Sequence, residues 1–233
     1  LNSVYLSLRK KYSLKELRGG CRIVIRVHTI PVTPFMQNCT VLECLESGKV
    51  VVCDCGDAVP VQEYIETHKY EVEAIWATHG HLDHIGGTAR LLEAYDVPFY
   101  FHRGDDFLRE DLPSHARMYG FPPVKIPPVT YDISGQSEIY FGAQKMEIRH
   151  CPGHTPGHVV FYSKPSSILI AGDVLFQGSI GRTDFPRGSF EQLKESIQKK
   201  LYVLPDDTVV HCGHGPTTTI GVEAYNNPFV TRL

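Results

Sequence analysis

Residues 78–87 read T-H-G-H-L-D-H-I-G-G and bring four metal-ligand side chains, His79, His81, Asp83 and His84, into six consecutive positions. The apolar run "EAIWAT" just before them reads as a buried strand ending at Ala77. Gly80 and the pair Gly86 and Gly87 disfavour a long helix, so the cluster is expected in a loop whose backbone can bend around an ion. In an extended turn, residues two apart face the same way. His79 and His81 can then grip one ion while Asp83 and His84 reach a second. A single histidine in such a place is ordinarily a satisfied polar group or a surface residue. Four ligand-type side chains together are costly unless something coordinates or neutralises them.

Three later glycine-rich segments carry the same chemistry. "CPGHTPGH" (151–158), "AGDVLF" (171–176) and "CGHGP" (212–216) add His154, Asp173 and His214, each at a strand end beside a glycine. Seven nitrogen and oxygen ligands are what two ions need if Asp173 bridges them and water completes each shell. Around these segments, "RIVIRVHTI", "TVLEC" and "KVVVCDC" alternate as strands, and "PVQEYIETHKY" and "GTARLLEAYD" read as helices around the buried strand. "PFYFH" is a further strand, "SEIYFGAQKMEIRH" a hairpin around Gly142, and "HVVFYSK", "SSILIAG" and "DTVVHC" three more strands. A helix is expected from about Phe190 to Leu201, where Leu193, Ile197 and Leu201 recur on one face. Strands in both halves with helices between and after them predict an α/β architecture of two sheets with helices outside.

With 233 residues, 42% hydrophobic, 21% charged and 10% aromatic, the chain has enough apolar surface to offset the entropy of ordering its backbone. The simplest division is a basic N-terminal extension over residues 1–21, then one domain over 22–233. The extension holds Arg9, Lys10, Lys11, Lys15 and Arg18 against Glu16 alone, and reads as a flexible or processed end, with an organelle presequence as the alternative. No stretch approaches the roughly 18 apolar residues of a membrane span, and no leader resembles a signal peptide, so a cytoplasmic location without a membrane partner is expected. The net charge is -3 and the cations are scattered, which disfavours nucleic acid. Seven cysteines form no CxxC pair and are expected as reduced thiols.

The HxHxDH loop followed by a later His, an Asp and a final His resembles the metallo-β-lactamase superfamily, from about Arg22 to the C-terminus. The resemblance implies the αββα four-layer sandwich. It also implies that His79, His81 and His154 bind a first metal and Asp83, His84 and His214 a second, with Asp173 between them. Within the superfamily, "GDVLFQGSIGRTDFPRG" (172–188) and "GHGPTTTIGVEAYNNPF" (213–229) are similar to the short bacterial glyoxalase II-like, or hydroxyacylglutathione hydrolase-like, enzymes. Glyoxalase II splits S-lactoylglutathione into lactate and glutathione. The likeness therefore implies a small-molecule thioester substrate, two zinc ions with iron or manganese as alternatives in either position, and a metal-bridging hydroxide as nucleophile. That fits the chemistry of zinc, which lowers the pKa of bound water to about 7. No GxSxG elbow is present and none is needed.

In this scheme Asp83 is the catalytic residue, orienting the hydroxide and accepting its proton. Asp54, in "CDCGD", either holds a ligating histidine in one tautomer or is a turn aspartate after a strand. Arg182, in "GSIGRTDFP", either grips a substrate carboxylate through its planar fork or is a solvated arginine paired with Asp184. Full-length glyoxalase II has a helical C-terminal domain that contacts glutathione. This sequence ends soon after "NNPFV", so part of that substrate site is expected to be missing. Cys55 and Cys212 stand where relatives usually have proline and are expected as small buried thiols. The rival readings are a persulfide dioxygenase, with one iron on His79, His154 and Asp173, and a non-catalytic metal-binding member of the fold. A nuclease is disfavoured by the lack of a basic stripe, and a β-lactamase by Asp173 standing where some of those enzymes have a cysteine ligand.

Overall fold

The three β-rich runs near the start pair as an antiparallel meander. In the computed structural model, which describes residues 17–18, 21–22 and 24–232, a short pair of strands β1 (Leu17–Arg18) and β2 (Cys21–Arg22) precedes them. The rest of the expected basic extension lies outside the described residues. The meander itself is β3 (Ile25–Val32), β4 (Gln37–Cys44) and β5 (Lys49–Cys53). From β5 the pairing turns parallel, through β6 (Glu71–Trp76), β7 (Phe99–Phe101) and β8 (Tyr131–Asp132), to complete a six-stranded sheet. Parallel neighbours need crossovers. Helix α1 (Ala58–His68) supplies the first, and α2 (Leu82–Ile85) and α3 (Thr88–Ala94) the second. Helices α4 (Asp106–Glu110) and α5 (Leu112–Met118), which periodicity did not single out, fill the third.

The expected hairpin forms as β9 (Glu138–Phe141) and β10 (Gln144–His150), and opens a second sheet with β11 (Val159–Ser163) and β12 (Ile168–Gly172). After a two-residue-stranded hairpin, β13 (Leu175–Phe176) and β14 (Ser179–Ile180), and helix α6 (Phe190–Ser196), the chain adds β15 (Val209–Cys212) parallel to β12. Strand β16 (Thr218–Thr219) and helix α7 (Ile220–Asn226) follow, so the second sheet runs β16-β15-β12-β11-β10-β9.

Three apolar clusters show why these elements stack in four layers. Val50 and Val52 point to α1, α3 and α5, where they meet Val61, Ile65, Leu91 and Leu112. Val51, between them in β5, points the other way and joins Leu42 and Trp76 against Ile139, Phe141, Met146 and Phe161 of the second sheet. A strand apolar on both faces is the mark of an inner strand of such a sandwich. Trp76 anchors this middle layer, with its ring 5.1 Å from Phe161 and edge-on to Phe141 at 5.5 Å. Val160, Leu169 and Ala171 face outward to Leu193, Ile197 and Leu201, which closes the fourth layer. The architecture is the αββα sandwich expected from the sequence.

Local chemistry sets the helix ends. α1 begins at Ala58 because Asp57 caps it by accepting from the Val59 amide, and Pro60 sits in the first turn, where an amide hydrogen is not required. Helix α6 was expected to reach Leu201, but residues 197–201 widen into a π turn. Apolar residues four apart drift about 40° per step around an α-helix, and a wider turn keeps Ile197 and Leu201 on the buried side with Leu193. Among the described residues, no helix is long and apolar enough to cross a membrane.

Candidate metal centre

Every one of the seven candidate ligands leaves a strand end at the same rim of the sandwich. His79 and His81 follow β6, His154 lies between β10 and β11, Asp173 follows β12, and His214 follows β15. Backbone bonds stitch the two sheets together there: the Val159 amide donates to the Thr78 carbonyl (2.8 Å) and the Asn38 amide to the Gly213 carbonyl (2.7 Å). Asp83 and His84 are not in a plain loop, as the glycines suggested. They occupy the single helical turn of α2, whose first bonds run from the His84 and Ile85 amides to the His81 carbonyl. The glycines limit that helix to one turn rather than abolish it.

The side chains meet in overlapping groups of ligand atoms, each group lying within 4.8 Å: His79 with His81 and His154, Asp83 with His84 and His214, and His79 with His84 and Asp173. In the first group, His79 Nε2 and His154 Nε2 each lie 3.0 Å from His81 Nδ1. Three nitrogens bound to one zinc at about 2.0–2.1 Å would be roughly 3.3 Å apart, so the trio is near ligand spacing. In the second group, His214 Nε2 is 3.2 Å from Asp83 Oδ2, and His84 Nε2 is 3.9 Å from the same oxygen. Asp173 lies between the groups: its Oδ1 is 3.3 Å from His84 Nε2, and its Oδ2 is 3.7 Å from His154 Nε2 and 3.6 Å from His214 Nε2.

The far nitrogens show which face of each ring is available. Asp54 Oδ2 is 3.1 Å from His84 Nδ1, and a carboxylate can only accept, so Nδ1 carries the hydrogen. The Thr78 hydroxyl donates to Asp54 Oδ2 (2.7 Å) and therefore accepts from His79 Nδ1 (3.0 Å). His154 Nδ1 donates to the Arg182 carbonyl (2.7 Å) and His214 Nδ1 to the Phe35 carbonyl (3.1 Å). Four imidazoles are thereby locked with Nε2 turned inward, the arrangement that orients histidine for a metal. His84 Nε2 and Asp173 Oδ1 are buried without a hydrogen-bond partner, as atoms reserved for a cation would be. The residues present therefore fit a pair of divalent ions.

The electrostatics agree. Burial, followed by His154, pushes His81 down to about 3, and burial holds His79 well below the ordinary imidazole value, so both are neutral and can donate a lone pair. Burial also opposes charge on His84, but Asp173, Asp83 and Asp54 overcome it and hold that ring well above its usual value. Asp173 and Asp83 stay below the carboxylate range despite burial because His84 faces both. The rim thus concentrates two carboxylates that attract positive charge.

The structure also places the residues whose roles the sequence left open. Asp54 is buried and accepts from the Thr78 amide (2.7 Å) as well as from Thr78 Oγ1 and His84, at a left-handed φ of 60°. It touches one ligand directly and a second through Thr78, a residue that went unremarked although it adjoins His79. Arg182 is exposed; its fork grips Asp184 (2.7 and 2.6 Å) and its guanidinium lies 4.1 Å over the Phe185 ring. Phe185 in turn stands 5.0 Å from the His81 ring, so this loop forms one wall of the centre. Phe35, whose carbonyl holds His214, packs edge-on to Tyr119 (5.8 Å) and beside Phe121 (5.3 Å). His158 is fully buried, and its Nε2 accepts from the Asp173 amide (3.0 Å). Cys55 and Cys212 are buried, as are Cys39, Cys44, Cys53 and Cys151. Sequence reasoning missed Asp105, which joins two of the ligand loops from inside the third crossover.

Known proteins agree with this geometry. The family model of the metallo-beta-lactamase superfamily matches residues 32–214. Hydroxyacylglutathione hydrolase GloC of Haemophilus influenzae is 39% identical over 209 residues, which cover 88% of this chain and 98% of that protein. Among solved structures, the B3 metallo-beta-lactamase BLEG-1 superposes with a TM-score of 0.83 at 35% identity, covering 88% of this chain and all of that one. TTHA1623 in a di-iron-bound form gives 0.79 at 36% identity with the same coverage. With its family model, its relatives and its four layers in accord, the chain belongs to the metallo-β-lactamase superfamily.

Proposed function

We propose that the chain is a dinuclear metal-dependent hydrolase that acts as a thioesterase on S-lactoylglutathione or a related small thioester. The observation that carries this reading is the convergence of two ligand trios on either side of the Asp173 carboxylate. The near full-length likeness to a hydroxyacylglutathione hydrolase supports the thioester in particular. When bound, a divalent ion lowers the pKa of water to about 7 and polarises a carbonyl. The chain's own residues do the rest. His79, His81 and His154 would hold the first ion and Asp83, His84 and His214 the second, with Asp173 placed to reach both trios. Asp83, the carboxylate of the second trio, would orient the attacking water and accept its proton. Phe185, 5.0 Å from the His81 ring, gives the first trio an apolar neighbour. Arg182 lies beside the wall, where its guanidinium can take a substrate carboxylate once it exchanges Asp184 for it.

The test is metal analysis of purified protein followed by assay on a panel of thioesters, a β-lactam and glutathione persulfide. Two ions per chain with hydrolysis of S-lactoylglutathione or another small thioester is the expected result. Absence of thioester hydrolysis with both ions bound refutes the activity. One iron per chain with oxidation of the persulfide refutes it in favour of the dioxygenase.

A further inference from the structure

Asp105 is a fully buried carboxylate that the proposed reaction does not use. It closes the 3-10 turn Arg103–Asp105 after β7, on a crossover that supplies none of the candidate ligands. Its Oδ2 accepts from the Gly80 amide (3.0 Å) and from Thr155 Oγ1 (2.6 Å), and its Oδ1 accepts from the Gly157 amide (2.6 Å). Gly80 lies between His79 and His81, and Thr155 directly follows His154. One carboxylate therefore ties the loop that carries two first-trio ligands to the loop that carries the third. The fit is close on both sides: a Cβ on Gly80 would lie 3.0 Å from Asp105 Cβ, and one on Gly157 2.8 Å from its Oδ1. Both glycines thus let the loops approach the carboxylate.

The second trio is held by other groups. Asp54 orients His84, the Phe35 carbonyl fixes His214, and His158 accepts from the Asp173 amide. None of the hydrogen bonds of Asp105 reaches Asp83, His84, Asp173 or His214.

We propose that Asp105 is a positioning residue for the first metal site alone, clamping the two loops so that the nitrogens of His79, His81 and His154 stand at ligand spacing. This rests on the two-metal reading of the centre but not on the identity of the substrate. An ionised carboxylate can accept three donors at once, whereas an amide must turn its NH2 toward one of them. Loss of the clamp leaves a buried donor unpaired and frees His154 to move relative to His81. Outer partners of this kind typically change metal affinity about 10- to 100-fold.

Zinc affinity is measured by chelator competition in two backgrounds, His214→Ala, which keeps the first trio, and His81→Ala, which keeps Asp83, His84 and His214. Asp105→Asn is expected to weaken zinc about 10- to 100-fold in the first background and to leave the second unchanged. Thr155→Val, which removes one donor and keeps the carboxylate, should give a smaller loss in the same background, restored by Thr155→Ser. If Asp105→Asn does not fold, the Thr155 pair decides by the same measurement. Unchanged first-site affinity in the folded variants, or an equal fall at both sites, overturns the assignment. An unsubstituted chain that binds no zinc overturns it together with the metal centre.

Discussion

Replacement of Asp54 separates the stability of the metal loops from their ability to hold an ion. Its carboxylate serves three buried donors, the Thr78 amide, the Thr78 hydroxyl and His84 Nδ1. A buried donor left unpaired costs about 1–3 kcal/mol, so Asp54→Ala loses about 3–9 kcal/mol. Alanine at the left-handed φ of 60° adds about 1–2 kcal/mol. That total is comparable with the whole stability of an ordinary domain, about 5–15 kcal/mol, and this variant is expected to unfold. Asp54→Asn is more informative because asparagine tolerates the backbone and keeps one acceptor oxygen. With that oxygen on the Thr78 amide, the NH2 group faces His84 Nδ1. The ring must then accept there and carry its hydrogen on Nε2, the atom turned toward Asp173. The lone pair that would bind the second ion is gone. Metal affinity of the Asp83, His84 and His214 trio should fall about 10- to 100-fold, with a parallel loss of kcat. Chelator competition and thermal unfolding of zinc-free protein measure the two effects separately. A folded Asp54→Asn protein with unaltered affinity at that trio would refute the tautomer reasoning.

Asp173→Ala should reduce bound metal below two ions per chain and abolish turnover, and near-normal hydrolysis would mean that the centre is misassigned. Arg182→Ala keeps the backbone carbonyl that orients His154, so it should raise KM for an anionic thioester by up to about tenfold with little change in kcat. An uncharged thioester should be indifferent to it, and equal effects on both substrates would remove Arg182 from carboxylate binding. Removing metal with a chelator should lower the Tm, because ions held at a thousand times their Kd contribute about 4 kcal/mol; coincident melting curves would argue against binding by the folded chain. Burial pushes His211 down to about 4, whereas the unfolded chain titrates near 6.5. Between those values the unfolded chain binds a proton that the folded one refuses. Stability fully present above about pH 6.5 is therefore lost as pH falls toward 4, by at most about 3 kcal/mol. His211→Gln should flatten that part of the pH–stability curve, and an identical slope would show that the imidazole is not held neutral.

The sequence announces the centre because its chemistry is local. Four ligand-type side chains in six positions, with glycines beside each later ligand, need no tertiary contact to be recognised. The strands were equally readable, since Val50, Val51 and Val52 sit in a run apolar on both faces and "SEIYFGAQKMEIRH" alternates across Gly142. Periodicity failed where a helix is a single turn, at α2, or where a wider turn absorbs the drift of an apolar stripe, at Ile197–Leu201.

Residue types and their spacing thus sufficed for a two-sheet α/β architecture and the candidate ligands, while the αββα sandwich and the family followed from the resemblance that the HxHxDH motif carries. The tertiary structure alone decided which nitrogen each histidine turns inward, because that depends on the hydrogen bond made by the other one. Apart from Thr78 beside His79, the partners are remote: Asp54 lies 30 residues from His84, the Phe35 carbonyl 179 from His214, and the Arg182 carbonyl 28 from His154. The pairing of Arg182 with Asp184 was visible in the sequence, whereas the packing of its guanidinium on Phe185 was seen only in the structure. No periodicity or spacing encodes such contacts, because they arise only when separate strand ends are brought to one rim by the burial of the layers behind them.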